Sequence, residues 1–347
     1  MIYQITSFIT MYAITISTYA QTEQAQLNNP NATPEAVALY KYINSISGKQ
    51  ILSGQHCAPL VGSNNLAVIH RSTGQYPAVF GQDFGFSYPG YWDGINFRQR
   101  IVDEAIKRNE EGFIITLMWH AVRPTEDEPV TFSESVQGDL TDEEWNELMT
   151  PGSNLHERWK SQVDVIAWFL KQLQYANVPV LWRPYHEMNG DWFWWGKKGG
   201  DNGYKKLFRM MHERLVGFHG LNNLIWVYNT NEFKNGVDTH ETYYPGDDIV
   251  DIIATDVYSE GFNQVNYDQM MALAGNKPMA LGEVGAAPSV EILKAQPKWA
   301  WFMSWGAGGD GRGGSIRDTY GSDLVLKHKD LPWTDIEKYR VHYPVLK

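Results

Sequence analysis

Apolar residues in this chain seldom alternate with polar ones. They form short unbroken runs, each followed by a longer amphipathic stretch. Eight runs recur in this way: ILSGQ (51–55), AVFGQD (78–83), FIITLMW (113–119), VPVLWRPY (178–185), NLIWVYN (223–229), DIIATDVY (251–258), PMALGEVG (278–285) and AWFMSWG (300–306). A continuous apolar, β-branched run of this length marks a strand buried on both faces, as in a parallel sheet covered by helices. Between the runs, FRQRIVDEAIKRNEE (97–111), ERWKSQVDVIAWFLKQLQYA (157–176) and YKKLFRMMHERLVGF (204–218) place apolar residues at helical spacing. An earlier helix opens with Thr33 as N-cap and Pro34 in its first turn, runs through AVALYKYINSI and closes at Gly48. Eight strand-then-helix units predict an α/β fold, a single (β/α)8 TIM barrel, rather than an open doubly wound sheet. No GxGxxG follows the first run, which weakens a dinucleotide-binding alternative further.

The first twenty residues, MIYQITSFITMYAITISTYA, form an uncharged apolar leader, with Thr18 and Ala20 at the small-residue positions before a cleavage. No Lys or Arg stands near its start. Its Thr, Ser, Gln and Tyr residues dilute it as a membrane span. The expected layout is a signal peptide over 1–20, a short polar linker over 21–32 and a catalytic barrel over 33–347. The mature chain is expected to be secreted, free of the membrane and, by default, monomeric. Asn31-Ala32-Thr33 matches the glycosylation triplet, a pattern of low specificity.

Charge and composition narrow the ligand. A formal net charge of −11 and an acidic balance oppose nucleic acid, whose binding relies on Lys and Arg neutralising phosphates. Aromatic residues make up 14% of the chain, with 14 Trp and 19 Tyr, which suits stacking on the flat apolar faces of a neutral ligand such as a sugar. One cysteine, Cys57, permits neither an intramolecular disulfide nor a Cys-based metal site, and reads as a small buried hydrophobe.

A barrel of this kind carries its chemistry at the C-terminal ends of its strands. The residues there are Gln55 and His56, Gln82 and Asp83, Trp119 and His120, His186 and Glu187, Asn229 and Asn231, Asp256 and Tyr258, Glu283, and Trp305. Glu187 follows the fourth run and Glu283 lies in the seventh, nearly opposite on an eight-membered ring. Two carboxyl groups flanking one bond are what glycoside hydrolysis requires, one protonating the leaving oxygen and the other attacking. Glu187 sits in LWRPYHEMNGDWFWWG, where aromatic neighbours should raise its pKa and suit it to the acid; Glu283, beside Gly282 and within reach of Tyr258, suits the ionised partner. Either glutamate alone would be read as an ordinary strand-end residue in an ion pair. His186-Glu187 lacks the second His of HExxH, so no metal is expected there. GAGGDGRGG (306–314) lacks the Gly-Lys-Ser/Thr ending of a phosphate loop and reads as a flexible rim. The acidic EDEPVTFSESVQGDLTDEEW (126–145) reads as a solvated loop-and-helix insertion that can wall one side of a cleft.

WRPYHEMNGDWFWWG around Glu187 resembles the acid/base signature of glycoside hydrolase family 26, the β-mannanases, and LGEVG around Glu283 is similar to that family's nucleophile segment. ILSGQH, FGQDF, TLMWH and TDVY fall in the family's order, and the resemblance spans residues 34 to 345. Where related barrel glycosidases carry Asn before the acid/base, this chain has His186. The resemblance implies a retaining endo-hydrolase of β-1,4-mannan and manno-oligosaccharides that uses no metal or organic cofactor, with Glu187 as acid/base and Glu283 as nucleophile. It further implies that His186 and Tyr258 contact the nucleophile or the sugar's 2-hydroxyl, and that His120 and Trp119 hold neighbouring sugars. Trp192 and Trp305 would offer stacking faces, at least one Trp of the WFWW run would pack beneath its loop, and Arg183 would partner inward carboxylates. The same machinery aimed at mixed-linkage β-glucan or β-1,3-xylan, or acting as an exo-mannobiohydrolase, remains open at this stage. A non-catalytic carbohydrate-binding barrel would require a lost carboxylate, and both are present.

Overall fold

A computed structural model of the chain describes residues 26–57, 64–85, 94–234, 237–258, 261–306 and 316–335. The leader and most of the glycine-rich loop after Gly306 lie outside these residues. Eight parallel strands pair in chain order: β1 (Ile51–His56), β2 (Val79–Asp83), β3 (Ile114–Trp119), β4 (Val180–Pro184), β5 (Leu224–Asn231), β6 (Ile252–Val257), β7 (Met279–Val284) and β8 (Trp299–Ser304). Gln55 of β1 lies opposite Phe80 on one side and Ser304 on the other, which closes the ring. The helices are α1 (Pro34–Ile46), α2 (Asn64–Thr73), α3 (Arg98–Glu110), α4 (Asp142–Leu148), α5 (Asn154–Tyr175), α6 (Tyr204–His212), α7 (Gln264–Ala274), α8 (Val290–Ala295), α9 (Ile316–Gly321) and α10 (Pro332–Asp335). The fold is the expected (β/α)8 barrel. A short ninth strand, β9 (Val325–Leu326), sets Val325 and Leu326 against Ile51 and Leu52. The pairing of β1 with β2 begins only at Gly54, so β9 covers an edge the barrel's stagger would leave open.

Two apolar layers hold the barrel. Leu52, Val79, Ile114, Leu181, Ile225, Ala254 and Trp301 fill its interior near the strand starts, and α1 closes that end with Ala36, Leu39, Tyr40, Ile43 and Ile46. Thr33 caps α1 as expected, its hydroxyl accepting from the Ala36 amide at 3.3 Å. The other layer lies between strands and helices and contains Ile115, Leu117, Trp182, Trp226 and Leu281 with Trp159, Val163, Ile166 and Leu170 of α5. Each such side chain contributes about 1.5–3 kcal/mol on burial. The helix expected over 204–218 is α6 continued by a wider π-helical turn, Glu213–Phe218.

The stretch expected as a linker over 21–32 is fastened to the barrel in its described part. The Asn28 amide donates to Asp251 Oδ1 at 2.9 Å, Asn29 Nδ2 donates to Asn222 Oδ1 at 2.9 Å, and Leu27 packs on the α1 layer. A polar composition concealed these contacts because the groups met are themselves polar and distant in sequence. Among the described residues no helix is long and apolar enough to cross a membrane.

Candidate active site

Side chains along a barrel strand alternate between the interior and the helix layer. Arg183, Asn229 and Asp256 each stand two residues past an interior residue (Leu181, Val227 and Ala254), so parity turns all three inward. On β7 the same parity would send Glu283 outward with Leu281. The register with β6 shifts at this point: Thr255 faces Leu281, but Asp256 faces Glu283, and Gly282 is left as an extra residue. Such a bulge re-aims the side chain that follows it. Only glycine fits there, because a Cβ on Gly282 would lie 1.7 Å from Asn229 Oδ1 and 2.5 Å from an Arg183 guanidinium nitrogen.

Glu283, 3% exposed, is held on both oxygens. Arg183 Nη2 donates to Oε1 at 2.7 Å and the Tyr258 hydroxyl donates to Oε2 at 2.7 Å. His186 Nε2 lies 3.8 Å from Oε1. Tyr258 is 40% exposed as a residue, yet its hydroxyl is bonded to Glu283, where burial and the Glu283 charge push its pKa well above the usual phenol value. Arg183 also donates to Asn229 Oδ1 at 2.6 Å and lies 3.4 Å from Asp256 Oδ1. Asp256 is fully buried; burial first, and then the Glu283 charge, push its carboxyl well above the usual range. Arg183 thus has the structural place expected of it, between inward carboxyl groups.

Glu187 sits on the turn that leaves β4, and that turn is strained. Tyr185 and Glu187 have φ of 48° and 56°, a region that side-chain-bearing residues enter only when their surroundings hold them. The holding groups are specific. Trp159 Nε1 donates to the Tyr185 hydroxyl at 2.8 Å, Trp195 Nε1 to the His186 carbonyl at 2.8 Å, and the Glu187 amide to the Asn229 carbonyl at 2.8 Å. Asn189 staples the next residues to β5, accepting from the Asn231 amide at 2.7 Å and donating to its carbonyl at 2.9 Å. The Glu187 carboxyl, 8% exposed, accepts from Trp192 Nε1 at 2.7 Å and from Asn231 Nδ2 at 3.0 Å. Burial first, and then the charge of Glu283, raise its pKa to about 8, against the opposing pull of Trp192 and Arg183.

Histidines form one side of the site. Asp83 accepts from the His120 amide at 3.1 Å and its other oxygen is bonded to His120 Nδ1. Burial alone would raise Asp83, but His120 outweighs it and holds the carboxyl at about 2. The His120 ring stands edge-on to His186 at 4.6 Å and to Phe132 and Phe193 at 5.3 Å each. His56 lies 4.2 Å from the Trp305 ring, and burial pushes its pKa down to about 3. Burial, and then His120, hold His186 well below the usual imidazole value, so it is neutral. His186, Glu187 and Asp256 bring potential ligand atoms within 4.8 Å of one another. That donor set suits a cation poorly, since both Glu187 oxygens already accept hydrogen bonds and Arg183 stands beside Asp256.

The structure gathers Glu187, Glu283, His120, His186, Tyr258, Trp192 and Trp305 around one mouth. Trp192 and Trp305 are half-buried, whereas Trp194 and Trp195 are fully buried beneath the loop. Trp119 requires a correction. It lies in the layer between β3 and the helices, 2% exposed, because the interior residue of that pair is Met118, whose sulfur meets Arg183 at 3.0 Å. Phe132 and Phe193, which frame His120, were not singled out in the sequence. Phe132 stands in the acidic insertion after β3, so the expectation that this insertion walls the cleft pointed to its neighbourhood.

A parallel barrel with two enclosed carboxyl groups at its mouth, set among indoles and imidazoles, defines the glycoside hydrolase class. Residues 28–312 match the model of glycosyl hydrolase family 26, and the chain belongs to that family. It is 38% identical over 290 residues to a mannan endo-1,4-beta-mannosidase of Thermothelomyces thermophilus, covering 81% of this chain and 57% of that protein. Among solved structures it resembles GH26A from Muricauda sp. MAR_2010_75, with TM-score 0.82, 44% identity and coverage of 87% and 99%. It also resembles the Podospora anserina GH26-CBM35 beta-(1,4)-mannanase, with TM-score 0.74, 33% identity and coverage of 89% and 69%. The chain spans about half the length of the curated relatives it matches.

Proposed function

We infer that this chain hydrolyses internal β-1,4-mannosidic bonds of mannan, glucomannan or galactomannan with retention of configuration. The observation that carries the reading is the pair of enclosed carboxyl groups in opposite settings, Glu187 pushed up to about 8 and Glu283 bonded to Arg183 and Tyr258. Glu283 attacks the anomeric carbon while the bond to the glycosidic oxygen breaks and Glu187 transfers its proton to that oxygen. The products are a shortened chain and a mannosyl–Glu283 ester. Glu187, now ionised, takes a proton from water, whose oxygen displaces Glu283 and restores both groups. His186, Tyr258 and His120 contact the sugar being cleaved or its neighbours, and Trp192 and Trp305 stack on sugar faces; Trp119 takes no part. Neither metal nor organic cofactor enters these steps. The same reading expects a secreted monomer, checked by sequencing the mature N-terminus and by sedimentation.

The deciding experiment combines substrate and residue. Purified protein is assayed on mannan, galactomannan, lichenan and β-1,3-xylan, and the anomer first released from a manno-oligosaccharide is read by NMR. Mannan cleavage at internal bonds with release of the β-anomer is expected, and Glu187→Ala and Glu283→Ala should each lower turnover by about 10²–10⁴ or more. Turnover of lichenan alone would sink the substrate assignment. Near-normal turnover in either variant would sink the catalytic pair.

A further inference from the structure

The described residues expose few large apolar side chains, and three of them share α5: Val165 at 43%, Trp168 at 61% and Tyr175 at 76%. Trp168 and Tyr175 are seven residues apart, about 10.5 Å along the helix and within about 20° around it, so both rings look out from one face. Neither ring hangs loose. Phe169 stands edge-on to Trp168 at 4.9 Å, and the Lys171 ammonium lies 5.9 Å from the centre of Tyr175. Between the rings, on the same face, Gln172 exchanges amide hydrogen bonds with Gln99 of α3 at 2.9 and 3.2 Å. Two stacking surfaces separated by neutral amide donors and acceptors match a polymer of hydroxylated rings better than a purely apolar partner.

Charge and continuity point the same way. Several charges bordering the strip are paired within the chain: Lys160 with Glu157 at 2.7 Å, Arg158 with Asp127 at 2.9 Å, and Asp164 with Arg214 and His219. The Lys171 ammonium is turned onto the His219 carbonyl at 2.6 Å. With one cation, Lys171, held on a carbonyl and one carboxylate, Asp103, bonded to Gln99 Nε2 at 3.0 Å, the strip is close to neutral and complements an uncharged polymer better than a polyanion. A groove of about 570 Å³, walled by Asp127 and Glu128 on one side and Ser161 and Gln162 on the other, ends at Val165, where the aromatic strip begins. Asp127 and Glu128 belong to the insertion that also presents Phe132 to His120.

We propose that the outer face of α5, with Trp168 and Tyr175 as stacking rings and Gln172 and Gln99 between them, is a second, non-catalytic binding site for neutral β-1,4-linked mannan. The proposal rests on the mannan reading of the barrel mouth. The face anchors a segment of insoluble polymer on the barrel's flank, with the groove leading from the insertion after β3 toward it. Two turns of helix set the ring spacing, which compares with the two-sugar repeat on which a β-1,4-linked chain presents the same face again.

The test uses the full chain carrying Glu283→Gln, so that bound polymer is not consumed. Pull-down on insoluble mannan compares this parent with derivatives that add Trp168→Ala and Tyr175→Ala together or, as a control on another exposed apolar residue, Val265→Ala. The aromatic pair should weaken binding about fivefold or more, each ring contributing on the scale of one aromatic contact, and the control should bind as the parent does. In the otherwise wild-type chain the double variant should keep kcat/KM on a soluble manno-oligosaccharide and lose rate on insoluble mannan. Equal binding by parent and double variant overturns the proposal. So does a parallel loss of oligosaccharide turnover, which would report a structural role for α5. A wild-type chain that cleaves no mannan removes the functional reading and this proposal with it; a chain that cleaves mannan while the double variant binds normally removes this proposal alone.

Discussion

Replacing Trp192 by Phe keeps an aromatic face at the barrel mouth and deletes one N–H, the donor that Glu187 Oε2 accepts at 2.7 Å. That bond favours the ionised carboxylate and opposes the burial and the Glu283 charge that set Glu187 at about 8. A hydrogen bond to a charged group is worth about 1.5–3 kcal/mol, and one unit of pKa is about 1.36 kcal/mol. Losing it should raise the pKa of Glu187 by about one to two units. In the proposed mechanism Glu187 is protonated at the start of the reaction, so kcat/KM should fall as pH rises through its pKa. The alkaline limb of kcat/KM on a soluble manno-oligosaccharide should therefore lie near 8 in the wild type and move upward in Trp192→Phe. Any lost stacking would lower the whole curve without moving the limb. A limb that stays in place, or moves toward acid, would refute the electrostatic role given to this bond.

Glu283→Gln removes the second cause of the Glu187 shift, so carbon-13 NMR or infrared titration should find Glu187 titrating below its wild-type value; no change would show the two carboxyls do not sense each other. Glu187→Gln removes a group whose pKa is raised from 4.5 on folding, a shift that costs stability as pH rises from the unfolded carboxyl value to about 8. The variant should gain a few kcal/mol over wild type in urea melts at neutral pH, with the advantage shrinking on acidification. Arg183→Met strands Glu283 and Asp256 without their cation and should cost about 3–5 kcal/mol by denaturant unfolding, more at high pH than at low. Gly282→Ala drives a methyl into Asn229 and Arg183 and should cost about 1–3 kcal/mol or more, with turnover falling as the bulge that aims Glu283 is disturbed.

The sequence by itself determined the barrel, because strands covered on both faces must be apolar without alternation, and eight such runs separated by helical stretches leave little else to build. It also determined which candidate residues gather at one mouth, since strand ends and the Trp-rich motif around Glu187 are local features. Tertiary structure decided what depends on which way a side chain turns. Trp119 and His120 are adjacent, yet one lies in the helix layer and the other faces the site, and composition reads the same for both. Glu283 faces inward only because one extra residue interrupts the β6–β7 register, a relation between two strands that neither strand's sequence contains. Of the tryptophans after Glu187, Trp194 and Trp195 spend their N–H groups on the carbonyls of Ala121 and His186, while Trp192 bonds Glu187 itself. Those partners come together only when the loop folds back over β3 and β4. Alternation and long-range pairing are three-dimensional facts, whereas burial leaves its mark along the chain.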